Sequence, residues 1–222
     1  MLTRRAVLYG VFGLKPLCSL PGMLLFSEQL WAGAQYEEPL MDAVRTALSS
    51  AIANEAPPVP EFADTESRLD YLRWLGVQCE RLKVKKSDFN TRKEFLQTVW
   101  YEAKRSGLDV SLVLGLIQVE SNFRKYAVSS AGARGYMQVM PFWTRLIGDG
   151  DAGRLFHMQT NLRFGCVILR HYLERERGNL FMALGRYNGS RGRAAYPDTV
   201  LSAQKKWQMS SVQVLNITHA RA

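Results

Sequence analysis

The sequence predicts a predominantly α-helical fold, and three observations support this prediction. Apolar residues recur at steps of three and four along several segments, which is the spacing of one helix face. Candidate N-cap residues precede these segments, and glycines follow them. Runs that alternate apolar and polar residues, as half-buried strands do, are scarce. We therefore expect a mainly α fold with little or no β-structure.

The predicted helices follow one another from residue 65 onward. The first extends from Thr65 to about Lys85, and the second from Asn90, a candidate N-cap, to Ser106. A third follows Asp109, and a short one begins at Pro141, since proline is tolerated in a first helical turn. The remaining helices are predicted from Asn161 to about Arg177, from Leu180 to Arg186, and from Pro197 to near Trp207.

The first 34 residues are interpreted as an export signal. A basic start precedes a short apolar run, and Ala32-Gly33-Ala34 has the small-x-small pattern of a cleavage site. We expect cleavage after Ala34, a periplasmic location, and no membrane span after processing. An uncleaved anchor is the alternative, which the lysine and prolines within the apolar run disfavour. Arg4-Arg5 leaves both Sec and twin-arginine export open.

Composition divides the rest of the chain. Residues 35–64 are predicted to be an extension with a proline-rich linker at residues 57–60, because proline cannot continue a helix. A single domain is expected over residues 65–210, with N-terminal helices in 65–106 and a core region in 107–210. Residues 211–222 are predicted to be a tail.

The chain is basic, with a formal net charge of +9. The first 34 residues contribute +2, from three cations against Glu28, and this leaves +7 on the remainder. A positive excess favours anionic partners, but no nucleic-acid motif accompanies it, so we expect no nucleic-acid partner.

Cysteine and histidine spacing predicts no metal site. His157, His171 and His219 are scattered, and no Cys/His cluster has zinc-ligand spacing. Cys79 and Cys166 both stand in apolar helical segments. A disulfide between them and two separate buried thiols both remain open.

The stretch VLGLIQVESNF, which starts at Val113, places an acid at the end of an apolar helix. Glu120 shares a face with Val113, Leu116 and Ile117 by the three- and four-residue rule. Burial and the negative end of the helix dipole both raise a carboxyl pKa. Such an acid can serve as a general acid near neutral pH. The alternative is that Glu120 ends the helix and turns into water.

Several short motifs accompany this acid in a fixed order. They read ESNF from Glu120, a serine at Ser129, GYMQVMP from Gly135, NLRFG from Asn161 and RYNG from Arg186. This order, from about Asp88 to Trp207, resembles the soluble lytic transglycosylase family, whose catalytic domain is related to goose-type lysozyme. The resemblance does not reach residues 35–64.

The resemblance implies a lysozyme-like helical domain with a catalytic cleft, which cuts peptidoglycan between N-acetylmuramic acid and N-acetylglucosamine. It implies that Glu120 is the sole catalytic acid/base, and that the tyrosine of the RYNG motif faces it. The residues implied in substrate binding are Ser129, Met137, Gln138, Tyr187 and Asn188. Peptidoglycan glycan strands are the implied partner, and no metal or organic cofactor is expected.

Each motif also has a purely structural interpretation. Asn161 and Gly165 are expected to be an N-cap and a close helix contact, and Gly132 and Gly135 to serve the backbone. Met137 and Tyr187 are also compatible with simple core packing. Tyr136 and Arg186 depart from the family pattern, which has leucine and alanine there, and RYNGSRG replaces AYNAGPG.

A single acid suits a reaction without water. The resemblance implies that the sugar's own C6 hydroxyl closes a 1,6-anhydro ring, and an internal nucleophile reduces the need for a second carboxylate. A hydrolase on the same scaffold would need one, and Asp149 and Asp151 are the candidates, because Glu174 and Glu176 are expected on a solvated face. A non-catalytic wall-binding module is the third alternative.

Overall fold

The structure is a computed structural model that describes residues 35–53 and 60–209. Within these ranges the chain forms α-helices, one 3₁₀ helix and no strand, which confirms the predicted fold class. The β-pairing within the described residues consists of two isolated antiparallel bridges, which join Arg134 to Val128 and to Val139. The α-helices are α1 Asp42–Ala53, α2 Thr65–Leu82, α3 Phe89–Arg105, α4 Val110–Ser121, α5 Phe142–Ile147, α6 Met158–Arg175, α7 Leu180–Asn188 and α8 Ala195–Trp207, and the 3₁₀ helix is Ala152–Phe156.

Helix boundaries differ from the prediction where a different residue makes the cap. The carboxylate of Asp88, two residues before the predicted Asn90, accepts from the backbone N–H of Thr91 at 2.7 Å and begins α3. Asp109 caps α4 as expected, accepting from Leu112 N–H at 2.9 Å. α6 begins at Met158, three residues before the predicted start, because Asn161 makes no cap.

Helix α4 is the centre of the core. All but two of its residues are buried, on every side of the helix, which is the pattern of a helix enclosed by others. Its neighbour α8 lies so close that a Cβ added at Gly115 would be 2.6 Å from the backbone nitrogen of Gln204. The glycine permits this approach, and α8 thereby reaches the end of α4 where Glu120 lies.

The extension packs on the domain. In α1, Leu48 and Ile52 contact the hydrophobic core, and the carbonyl of Ile52 accepts from Arg163 of α6 at 3.3 Å. Arg163 also binds the fully buried Glu102 of α3 at 3.0 Å. A buried carboxylate needs such a partner, and the pair ties α1, α3 and α6 together. The predicted export signal, most of the proline-rich linker and the tail lie outside the described residues.

The described residues hold Cys79 and Cys166 as free, buried thiols. Over the same ranges, no three metal-ligating side chains come together. None of the helices in this part of the chain combines the length and apolarity needed to cross a membrane.

Candidate active site

Glu120 lies in the last turn of α4, and its side chain faces inward. The residue is 2% exposed, so the interpretation in which it turns into water is wrong. The helix ends directly after it, because Asn122 and Phe123 both adopt the left-handed conformation, with φ of 48° and 64°. The Phe123 ring is buried between Phe95 and Trp207, and this packing holds the unusual turn in place.

Tyr196 of α8 provides the polar contact of the acid. Its hydroxyl donates a hydrogen bond to Oε1 of Glu120, and both side chains are buried. The other carboxyl oxygen, Oε2, is buried and has no hydrogen-bond partner among the described residues. A buried polar atom without a partner is costly, and Oε2 is the carboxyl oxygen of Glu120 that no described residue satisfies.

Burial raises the pKa of Glu120 to about 8, and the hydrogen bond from Tyr196 opposes the rise. Desolvation disfavours the charged form of a carboxyl group, whereas a donated hydrogen bond stabilises that form. Desolvation is the larger of the two effects here. At neutral pH the group is therefore mostly protonated and able to give a proton away.

The loop after α4 is held by three neighbouring helices. Ser121 of α4 donates to the carbonyl of Tyr136 at 2.7 Å. Tyr187 of α7 donates to the carbonyl of Met137 at 2.8 Å, and Asn161 of α6 accepts from the backbone N–H of Met137 at 2.8 Å. These bonds fix the backbone of residues 136 and 137 beside the end of α4.

Tyr187 connects this loop to the acid. It is fully buried, and burial raises the pKa of its phenol well above the usual value, with the Glu120 carboxyl as the second cause. The electrostatic effect of Glu120 on Tyr187 requires proximity. The tyrosine of the RYNG motif thus both packs in the core and lies near the acid.

The other predicted binding residues differ in burial and in their hydrogen-bond partners. Met137 is fully buried, and Gln138 is 2% exposed with its amide donating to the carbonyls of Ala127 and Gly135. Ser129 is partly exposed and accepts from Ala133 N–H at 3.0 Å. Asn188 is buried, and its Oδ1 has no partner among the described residues. Asn188 therefore has a free acceptor, whereas the Gln138 amide group is engaged within its own loop.

Asn161 and Gly165 support the loop. The prediction of an N-cap at Asn161 is wrong, because its amide instead donates to the carbonyls of Arg134 and Leu155 at 2.8 and 2.9 Å. Gly165 was expected to make a close contact with another helix. It does make a close contact, but with the loop, since a Cβ there would lie 2.3 Å from the sulfur of Met137. Positive φ at Gly132 and Gly135 also agrees with a backbone role.

The candidate second carboxylates are engaged elsewhere. Asp149 is exposed, forms an ion pair with Arg154 and accepts a hydrogen bond from the backbone N–H of Asp151. The bond from Asp151 is the largest cause that lowers the pKa of Asp149. Asp151 caps the 3₁₀ helix by accepting from Gly153 N–H. The expectation of a solvated Glu176 is wrong: its side chain is 8% exposed and lies between two arginines.

The departures from the family pattern have structural partners. Arg186 binds Glu176 at 2.7 Å and Glu38 of the N-terminal extension at 2.8 Å. Tyr136 packs its ring on Phe95 and accepts a hydrogen bond from Lys86 at 2.8 Å. Both residues therefore make contacts that alanine and leucine could not make.

The sequence singled out neither Tyr196, the hydrogen-bond partner of Glu120, nor Gln35, the partner of Trp143. Tyr196 shares the buried face of α8 with Val200, Ala203 and Trp207, and this three- and four-residue spacing is a signal that could have placed it in the core. Gln35, which is 4% exposed and accepts a hydrogen bond from Trp143, has no comparable signal, because it stands outside any helical pattern.

Comparison with known proteins places this site in a family. The sequence model of the transglycosylase SLT domain matches residues 97–209, more than half of the chain. Membrane-bound lytic murein transglycosylase C of Mannheimia succiniciproducens is 41% identical over 66 residues, which are 29% of this chain and 18% of that protein. The corresponding protein of Actinobacillus pleuropneumoniae is 39% identical over 85 residues, which are 35% and 23%.

Among solved structures, the lytic transglycosylase Slt of Pseudomonas aeruginosa matches with a TM-score of 0.41 and 23% identity, over 64% of this chain and 27% of that one. The aligned part spans less than a quarter of the length of the two transglycosylase C relatives. The domain match covers α4 to α8 and every motif residue of the site. The chain belongs to the transglycosylase SLT domain family.

Proposed function

We propose that this protein is a lytic transglycosylase that cleaves the β-1,4 bond between N-acetylmuramic acid and N-acetylglucosamine in peptidoglycan and forms 1,6-anhydromuramyl products. The observation that carries the proposal is the state of Glu120. It is buried, has a pKa of about 8 and keeps one carboxyl oxygen without a partner in the part of the chain that the structure describes. These are the properties of a general acid that is protonated at neutral pH.

In the first step, Glu120 gives its proton to the glycosidic oxygen. The bond between that oxygen and the anomeric carbon of the muramyl unit breaks, and the N-acetyl carbonyl of the same sugar supports the developing positive charge. The hydrogen bond from Tyr196 stabilises the carboxylate that this step creates. The acid thus becomes a base at the position where the second step needs one.

In the second step, the Glu120 carboxylate takes the proton of the C6 hydroxyl. The C6 oxygen bonds to the anomeric carbon, the internal anhydro ring closes, and the acid regains its proton. No water is consumed, and an internal nucleophile has a high effective concentration. Asp149 and Asp151 are held by contacts within their own turn, which favours a mechanism with one carboxyl group.

Ser129, Met137, Gln138, Tyr187 and Asn188 are proposed to form the substrate side of the site. Asn188 offers a free acceptor, and the backbone around Met137 is held rigid by Tyr187 and Asn161. A rigid site lowers the entropy lost when the sugar is positioned. We further propose that the protein acts in the cell envelope after export, as the N-terminal pattern predicts.

Product analysis tests the proposal. Purified sacculi are digested with the full-length chain, and the released muropeptides are analysed by mass spectrometry. Anhydromuramyl ends are the expected result. Reducing ends would overturn the lyase reaction in favour of hydrolysis, and the absence of any cleavage would favour a wall-binding module.

The matched variant is Glu120→Gln. It keeps the size of the side chain and the acceptor for Tyr196, but it cannot give up a proton. We expect at least a thousandfold loss of turnover, since general acid catalysis contributes about 10²–10⁴-fold and the base step is lost as well. Binding to sacculi should persist. Wild-type cleavage rates in this variant would contradict the role of Glu120.

A further inference from the structure

We propose that Gln35, which lies outside the family-matched region, is an additional substrate-binding residue whose side-chain amide donates a hydrogen bond to a sugar oxygen of the glycan. The inference rests on the proposed function. It differs from the family pattern because residues 35–38 precede the matched residues 97–209 by about sixty positions.

The orientation of the Gln35 amide is determined by its neighbour. The indole N–H of Trp143 donates to Oε1 of Gln35 at 2.8 Å, and an indole N–H can only donate. The carbonyl oxygen must therefore face Trp143, and the NH₂ group must point the other way. Trp143 is 2% exposed and its ring packs against Tyr172, so the indole N–H that orients the Gln35 amide is held in a fixed position.

The NH₂ group of Gln35 is buried and has no hydrogen-bond partner among the described residues. Gln35 itself is 4% exposed. A buried donor without an acceptor destabilises the folded state. Such a group is explained when a bound molecule supplies the acceptor.

Gln35 lies beside the residues of the proposed site. Its side chain lies close enough to the phenol of Tyr187 to lower the pKa of that group, which the Glu120 carboxyl raises. The next residue, Tyr36, lines a cavity of about 280 Å³ together with Gly189 and Ser190. The side chain of Asn188 donates to Ser190, so residues 35 and 36 lie near the end of α7.

Ion pairs hold this segment in place. Glu38 binds Arg175 of α6 and Arg186 of α7, and Glu37 lies 3.5 Å from Arg145 of α5. Arg186 stands where the family has alanine. This residue, which departs from the family pattern, is thus an ion-pair partner of Glu38, which anchors the segment. The Arg186 side chain is 18% exposed, where an ion pair is less screened than at the surface.

Three buried polar atoms of the site lack a hydrogen-bond partner among the described residues, and each has a different chemistry. Gln35 offers a donor, Asn188 an acceptor, and Glu120 the oxygen that carries the reacting proton. N-acetylated sugars carry hydroxyl and acetamido groups, which supply both acceptors and donors. A glycan strand thus matches the free groups of the site.

The test compares three variants of the full-length chain. Gln35→Met keeps the length of the side chain and removes the amide. Glu38→Gln weakens the ion pairs with Arg175 and Arg186 that anchor the segment. Glu37→Gln is the control, because it removes only an exposed ion pair. The KM and kcat of glycan cleavage are measured for each, with the thermal midpoint as a check of folding. A lost hydrogen bond to an uncharged group raises KM by about tenfold.

We expect Gln35→Met to raise KM about tenfold and to change kcat less than twofold, with an unchanged pH profile. Glu38→Gln should raise KM by a smaller factor, and Glu37→Gln should match the wild type. A KM for Gln35→Met within twofold of the wild-type value would overturn the proposal.

A binding measurement separates this inference from the proposed function. The dissociation constant of a peptidoglycan tetrasaccharide is compared between Glu120→Gln alone and Glu120→Gln combined with Gln35→Met. Weaker binding in the double variant supports a role for Gln35, and equal binding rejects it. If the wild type formed no product, the proposed reaction would fail, and this comparison would still decide the role of Gln35.

Discussion

The hydroxyl of Tyr196 donates a hydrogen bond to Oε1 of Glu120 across a separation of 76 residues in the sequence. The bond joins the last turn of α4 to the first turn of α8, and both side chains are enclosed by the core. It fixes one carboxyl oxygen, while the other has no hydrogen-bond partner among the described residues. The proposed acid is therefore oriented by an element that lies far from it along the chain.

Tyr196→Phe removes this donor and keeps the ring. We expect kcat to fall about 10–100-fold, because the carboxylate formed in the first step loses its hydrogen bond. The pKa of Glu120 should rise above about 8, since the Tyr196 bond lowers it, so the alkaline limb of the pH–rate profile should move upward. Steady-state rates from pH 5 to 10 check both expectations.

Tyr71→Phe is the control for this substitution. The Tyr71 hydroxyl is buried without a hydrogen-bond partner among the described residues, and it belongs to an aromatic cluster on α2. Its removal should leave the rate and the pH profile unchanged. An equal loss of activity in both variants would contradict a specific role for Tyr196.

The raised pKa of Glu120 also predicts how the free energy of unfolding depends on pH. Between the unfolded value of 4.5 and the folded value of about 8, the folded state keeps a proton that the unfolded state has lost. This stabilisation is complete below the unfolded pKa and is lost as pH rises through the window, at about 1.4 kcal/mol per pH unit.

Glu120→Gln should remove this contribution. Denaturant unfolding at pH 5, 6, 7 and 8 is expected to give a less negative slope of unfolding free energy against pH in the variant, by about 1.4 kcal/mol per unit. Other titrating groups are common to both proteins and cancel in the difference. Identical slopes would mean that the Glu120 pKa is not raised.

The close approach of α4 and α8 predicts that Gly115→Ala is destabilising. The added Cβ would lie 2.6 and 2.8 Å from backbone atoms of Gln204, which cannot move without shifting α8. We expect a loss of about 1–3 kcal/mol in unfolding free energy, and reduced activity because Tyr196 is carried by α8. Chemical denaturation and the cleavage rate measure the two effects.

Gly76→Ala provides the contrast in α2. A Cβ at this exposed position meets no heavy atom within 4 Å. Alanine in a helix interior is favoured over glycine, so the variant should gain about 0.5–1 kcal/mol. Equal effects at positions 76 and 115 would argue against the tight contact.

Asn161→Ala tests the support of the substrate-side loop. The side chain bonds three backbone groups, of residues 134, 137 and 155, and alanine would remove all three bonds. The Arg134 carbonyl would keep its bond from the backbone N–H of Val139. We expect destabilisation on the order of 3 kcal/mol and a lower kcat, because the Met137 backbone is released. Asn179→Ala, which removes only an exposed helix cap, should cost about 1 kcal/mol and leave kcat unchanged.

The helical fold was predictable because its signals are local. The apolar spacing of α4, the cap at Asp109 and the end of α6, predicted at about Arg177 and observed at Arg175, each depend on residues within a few turns of one another. The same spacing placed Glu120 on the apolar face but left open whether its carboxyl group turns into water, and the structure shows that it faces inward. The N-cap of α3 was misplaced by two residues, because Asp88 and Asn90 are both good caps and only the chain geometry selects between them.

By itself, the sequence determined the helical class, the order of the family motifs and the residue that carries the acid. Tertiary structure alone decided the partners of that acid and of the loop beside it. Tyr196, Asn161 and Gln35 act through hydrogen bonds between elements distant in sequence, and such bonds depend on how the helices pack. Periodicity shows which face of a helix is buried, but it does not identify the residue of another element that packs against that face.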